Sequence, residues 1–244
     1  MSVIVLGSVS GSPGVTRLAV GLAAAWPDGR RRILVEADAD GGRLGAELGV
    51  GTEPGLMALA LAARTERLGP DELLAHGAAP AGDWYLVPAP PSPEQAHSAL
   101  AHAAGPLADV AAGAVDDVWI VDAGRLSTRS PALPFARIAD QVLVVTAGSF
   151  PALQLVPHRV DALRAVGRPV AVVVVEPTSW SAGELADFVG TDVVAVVPAV
   201  RTRDRRIAAM RSGPWRTWWR AVDRLAAACA GDHDVGLAAE EARS

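Results

Sequence analysis

Short apolar runs punctuate the chain: Val3 to Leu6, Ile33 to Glu36, Trp84 to Val87, Val118 to Val121, Val142 to Thr146, Val170 to Val175 and Val193 to Val197. They are continuous rather than alternating, the pattern of strands buried on both faces. Between them lie Ala/Leu/Arg-rich segments, such as Thr16 to Ala25 and Pro151 to Val166, that read as covering helices. Strands alternating with helices predict an α/β fold: a mainly parallel twisted sheet of about seven strands with helices on both faces, in three α/β/α layers. Pro88-Ala-Pro-Pro-Ser-Pro93 interrupts the pattern as a loop.

From Pro214 onward, Trp215, Trp218, Trp219, Val222, Leu225, Ala226 and Cys229 recur at helical spacing, while Arg216, Arg220 and Arg224 fall on another side. This predicts an amphipathic helix over about 214–230. Its aromatic face is expected to pack on the sheet, with a protein partner or a membrane interface as the alternatives. The acidic stretch from Gly231 to Ser244 reads as a flexible tail, so the organisation expected is one domain over 1–230 followed by 231–244.

Composition narrows the class. The chain has 244 residues, half of them apolar, enough for one sizeable core. Its apolar runs stay well below the roughly 18 residues of a membrane span, and the N-terminus lacks a signal-peptide pattern. A cytoplasmic protein is expected, with peripheral contact at the inner membrane face left open. The lone Cys229 excludes an intramolecular disulfide framework and reads as a small apolar helix residue. His76, His97, His102, His158 and His233 are scattered, without a nucleophile at a recognisable elbow, so Ser/His/Asp chemistry is unsupported. Net charge is −5, yet Arg201 to Arg224 holds eight arginines against Asp204 and Asp223, a local charge of +6. That asymmetry raises DNA or an anionic membrane as a partner for this region.

The candidate chemistry lies at the ends of the predicted strands. Val3 to Leu6 runs through a glycine-bearing turn, Ser10-Gly-Ser-Pro-Gly-Val-Thr16, into a helix, the layout of a phosphate-cradling loop. Gly11, Gly14 and Thr16 fill the places of backbone-approach glycines and of the Mg²⁺ hydroxyl, but Val15 stands where a lysine belongs, and the chain contains no lysine at all. Asp38 follows the second predicted strand and Asp122 ends the fourth. In open α/β sheets such strand ends converge on one crevice. Gly7-x-x-x-Gly11-x-x-Gly14 departs from GxGxxG spacing, which leaves a nicotinamide-binding domain as the weaker alternative.

These motifs resemble the ParA/MinD family of P-loop NTPases. Ser10 to Thr16 is similar to its deviant Walker A loop, Lys-Gly-Gly-x-Gly-Lys-Thr, with both lysines and one glycine replaced. Ile33-Leu-Val-Glu-Ala-Asp-Ala-Asp-Gly-Gly-Arg-Leu-Gly45 resembles the family's second strand and switch, with Glu36 in place of the first aspartate and Asp38 in the switch position. Val118-Trp-Ile-Val-Asp-Ala-Gly124 resembles its Walker B strand, and Ala139 to Thr146 the strand that follows. The likeness covers roughly residues 1 to 200.

The resemblance implies an ATP or ADP site over Gly11, Ser12, Pro13, Gly14, Val15, Thr16 and Arg17, with Thr16, Asp38 and Asp122 around Mg²⁺ and Asp38 as the catalytic residue if the protein is active. It also implies a homodimer and a protein partner in a larger machinery. With both lysines gone, a pseudo-ATPase with weak or absent nucleotide binding is expected, closest to the CpaE/TadZ-like branch that positions pilus or secretion machinery, or else serving cell division. An active Mg-ATPase and a DNA- or membrane-binding module remain the alternatives. Arg17 is the obvious substitute for the lysine, but a helical step of 100° per residue places it about 200° from Val15, so rescue by Arg17 is not the favoured reading; it is expected on solvent-facing helix surface, with contact to an α-phosphate as the other alternative. The family's base-recognising asparagine is absent from Val174-Val-Glu-Pro-Thr178, and Glu176 there reads as a surface carboxylate.

Overall fold

The computed structural model describes residues 2–11, 13–65, 68–76, 79–80, 83–200, 211 and 213–231. Eight strands form one sheet: β1 (Ser2–Ser8), β2 (Arg31–Glu36), β3 (Ala79–Pro80), β4 (Tyr85–Val87), β5 (Asp117–Arg125), β6 (Gln141–Ala147), β7 (Val170–Val175) and β8 (Val193–Val197). Their spatial order is β3-β4-β2-β5-β1-β6-β7-β8. Seven strands run parallel, and β3 pairs antiparallel with β4 at the edge. All seven strands expected from the apolar runs are present. The two-residue β3 carries no such run and ends on Pro80, which offers no N–H to a ladder.

The strands are apolar throughout because both faces are covered. On one face, Val3, Val5, Trp119 and Val121 join the core under α3 (Leu56–Ala62), α4 (Pro70–His76), α5 (Pro93–Gly113), α6 (Leu133–Ile138), α7 (Phe150–Leu153), α8 (Val156–Arg164) and α9 (Ala182–Val189). On the other, Ile4, Leu6, Val118 and Ile120 meet α1 (Val15–Ala25), α2 (Leu44–Leu48) and α10 (Arg216–Ala230). The helix expected over Pro151 to Val166 is two helices. Pro157 sits in the first turn of α8, where its missing N–H costs nothing; within one continuous helix it would have broken the ladder.

Helix α10 turns its aromatic side inward. Trp215, Trp218 and Trp219 are all buried, in successive edge-to-face contacts, and the Trp218 ring lies against the backbone of Gly21 in α1. Burying each such aromatic contributes roughly 1.5–3 kcal/mol, which settles this face as core. Arg216, Arg220 and Arg224 point to solvent. Arg211 stacks 4.5 Å over Trp219 and pairs with Asp223 at 3.2 Å. The remaining arginines of the basic cluster, 201 to 206, and the tail beyond Gly231 lie outside the described residues. No helix among those described is long and apolar enough to cross a membrane.

Candidate functional site

The crevice forms where the strand order turns around β1. β1 lies next to β5, and β5 next to β2, so the loop leaving the carboxyl end of β1 shares a crevice with the ends of β5 and β2. That loop ends at Gly14, whose φ of 108° is a left-handed conformation that only glycine adopts without strain. Gly14 serves as N-cap of α1 with no side chain to bond the helix's first N–H groups, and the first turn carries no acid. An uncapped N-terminus of this kind leaves backbone donors and the positive end of the helix dipole free for an anion.

A cavity of about 410 Å³ lies over this terminus. Gly11, Pro13, Gly14, Val15, Thr16 and Arg17 line it from the loop and α1, Asp38, Asp40 and Arg43 from the segment after β2, and Arg125 from the end of β5. The expected phosphate, switch and strand-end residues are thus brought together, except that Ser12 lies outside the described residues. Val15 is 5% exposed and its side chain packs into the core beneath α1. The position where a lysine belongs therefore borders the cavity with an apolar, almost fully buried side chain and presents no charge.

Arg17 corrects the surface expectation. It is half-buried and forms part of the cavity wall instead of standing on open helix surface. Arg17 Nη1 donates to the Val200 carbonyl at 3.3 Å, and its guanidinium lies 5.6 Å from the centre of the Trp215 ring. It separates the main cavity from a second, of about 260 Å³, lined by Ala147, Val175, Glu176, Pro198 and Val200. Glu176 is exposed, as expected, yet borders that second cavity.

Asp122 lies fully buried beneath the cavity floor. Its Oδ1 accepts from the Gly124 N–H at 3.1 Å, while Oδ2 has no hydrogen-bond partner among the described residues. The Thr16 hydroxyl lies beside the carboxylate and favours its charged form without reaching good hydrogen-bond geometry. Burial dominates, and with the negative neighbours Asp38 and Glu36 it pushes the Asp122 pKa up to about 7. Asp38 accepts from the Asp40 N–H at 2.9 Å and rests against Gly124, where a Cβ would collide with its carboxyl group. Burial raises its pKa as well, opposed by the Asp40 N–H and by the charges of Arg43 and Arg125.

Glu36 has a role the motif comparison did not supply. It is 2% exposed and accepts three backbone N–H groups: Arg43 at 2.7 Å and Leu44 at 2.9 Å on one oxygen, Ala89 at 3.0 Å on the other. Those bonds fix the switch segment and start α2. The sequence signal was an acid closing an apolar strand, but Ala89 is remote in sequence and no spacing rule finds it. Arg43 and Arg125 were also missed as cavity residues. Arg43 directly follows the Gly41-Gly42 turn of the switch motif, a position that could have drawn notice.

His97, His102 and His158 are exposed, and His233 lies outside the described residues. No cluster of three or more His, Cys, Asp or Glu suited to a metal occurs among the described residues. Cys229 Sγ lies 3.5 Å from Gln141 Oε1, and burial pushes its pKa to about 12, so the thiol is inert.

No protein-family model matches the chain, and no curated protein matches it. Solved structures do. A ParA family ATPase from Chlorobium tepidum is 15% identical, with a TM-score of 0.75 over 93% of this chain and 99% of its own. The cell division ATPase MinD of Pyrococcus furiosus is 18% identical, with a TM-score of 0.73 over 95% and 99%. A Cyanothece McdA–ATP complex is 16% identical, with a TM-score of 0.70 over 95% and 96%. Nearly the whole chain therefore adopts the fold of the ParA and MinD ATPases.

Proposed function

We propose that this protein is a positioning, regulatory or scaffold factor built on the ParA/MinD fold. In this reading its degenerate phosphate loop holds a Mg-nucleotide weakly and does not turn it over. One observation carries the proposal: the side chain at the lysine position is buried in the apolar core, while the Thr16–Asp122 pair is retained beneath an uncapped helix terminus. The donor set fits both groups. The first N–H groups of α1 suit phosphate oxygens, and the unpartnered Asp122 Oδ2 beside the Thr16 hydroxyl suits a hard cation or its water shell. When bound, Mg²⁺ would neutralise phosphate charge.

The loss is in cationic stabilisation. A charged hydrogen bond contributes about 1.5–3 kcal/mol, so removing a lysine's contacts to two phosphate oxygens weakens binding roughly 10²-fold or more. Phosphoryl transfer depends mainly on positioning and charge stabilisation, so turnover suffers more than binding. In this reading the protein acts in the manner of the CpaE/TadZ-like branch, with nucleotide-dependent homodimerisation and a protein partner in pilus, secretion or division machinery. A solved MinC:MinD complex from Aquifex aeolicus gives this fold a precedent for a protein partner. The buried tryptophans of α10 argue against an insertion face for membrane there.

The test is calorimetric titration with ATP and ADP, with and without Mg²⁺, combined with a phosphate-release assay. Saturable Mg²⁺-dependent binding near the millimolar range, without release, is the expected result. Absence of binding at several millimolar removes nucleotide from the function. The second reading, an active ATPase, draws on the arginines at positions 17, 43 and 125 that line the cavity. Phosphate release abolished by Asp38→Ala would establish it in place of the first.

A further inference from the structure

Among the described residues, Arg17 feels the charge of Glu47 but makes no hydrogen bond to an acid. It is half-buried between the two cavities, its Nε is enclosed with no hydrogen-bond partner among the described residues, and its bond to the Val200 carbonyl is long at 3.3 Å. Burial and the charge of Arg43 lower its pKa, opposed by the charge of Glu47. A guanidinium so placed gains more from a phosphate, which it can engage with two parallel N–H bonds, than from a neutral carbonyl. Its present partners lie at the two ends of the segment joining β8 to α10: Val200 at one end and Trp215 at the other.

We infer that Arg17 reads the phosphate in place of the missing lysine, and that a di- or triphosphate on the α1 terminus draws its guanidinium off the Val200 carbonyl and the Trp215 ring. Occupancy of the phosphate loop is then felt at the start of α10, through one side chain. This rests on the nucleotide-binding reading above and adds to it a phosphate-binding residue and a direction of signalling. Helix α1 itself need not move, since its Gly21 backbone stays packed on Trp218.

The experiment compares wild type, Arg17→Ala and Arg17→Lys by Mg-ATP and Mg-ADP calorimetry, thermal melting, and hydrogen exchange over residues 198–200 and 213–219. The expected result is a 10- to 100-fold loss of ATP affinity in Arg17→Ala and partial recovery in Arg17→Lys. ATP is expected to speed exchange in both segments of the wild type but not of Arg17→Ala. Equal ATP affinity in wild type and an Arg17→Ala variant that melts cooperatively overturns this inference and leaves the nucleotide reading standing. No ATP or ADP binding by wild type overturns both. A loss of affinity in Arg17→Ala, with exchange in wild type unmoved by ATP, overturns the signalling to α10.

Discussion

Glu36 and Asp122 are paired in register at the carboxyl ends of β2 and β5, and both are almost completely buried. Their surroundings differ sharply. Glu36 accepts three backbone N–H groups from two separate segments, whereas Asp122 accepts one and keeps an oxygen without a partner. Burial raises the pKa of both, that of Asp122 to about 7. A buried carboxylate whose lone pairs are used by the backbone is a structural clamp. One left with an empty oxygen has bonding capacity for something outside the fold.

The contrast is broken most severely at Glu36. Glu36→Ala strands three enclosed N–H groups, each costing about 1–3 kcal/mol, and is expected to destabilise the protein by roughly 3–5 kcal/mol in denaturant unfolding. A loss below about 1 kcal/mol would show that the switch segment holds itself without the clamp.

Asp122→Asn is expected to act in the opposite direction. Because the folded pKa of Asp122 is raised from 3.8 to about 7, the native state holds its proton more tightly than the unfolded chain. Wild-type stability should therefore be fully present below about pH 4 and fall as pH rises toward 7. Asn carries no charge to desolvate, so the variant should lack this decline and gain roughly 2–4 kcal/mol at pH 8. Urea midpoints from pH 4 to 8 measure the difference, and parallel curves for the two proteins would remove Asp122 as the group responsible. Thr16→Val gives the smallest effect. Without its hydroxyl the charged form of Asp122 loses support, moving the end of the stability decline to higher pH and costing about 1 kcal/mol at pH 8. An unmoved profile would mean that Thr16 does not act on the carboxylate.

The parts of this molecule governed by burial were readable in advance, and the parts governed by remote partners were not. Runs such as Val170 to Val175 announce strands because both faces meet apolar helices. The Thr16, Asp38 and Asp122 cluster could be anticipated because strand ends of one parallel sheet open on one side. Arg17 was misjudged because an angular step along α1 says nothing of what covers the helix there, and its neighbours Val200 and Trp215 are remote in sequence. Glu36 read as a replaced aspartate because its third donor, Ala89, is 53 residues away. The break between α7 and α8 was legible in principle from Pro157.

The position of β1 has a further consequence for how the chain is made. Both of its hydrogen-bonding edges are filled by strands encoded far downstream, Ile4 facing Ile120 on one side and Gln141 on the other. On a ribosome adding about 5–20 residues per second, β1 and the phosphate loop wait several seconds with two open edges before their neighbours emerge. The most protected strand of the finished sheet is therefore the one whose nascent form spends longest needing protection from pairing with other chains.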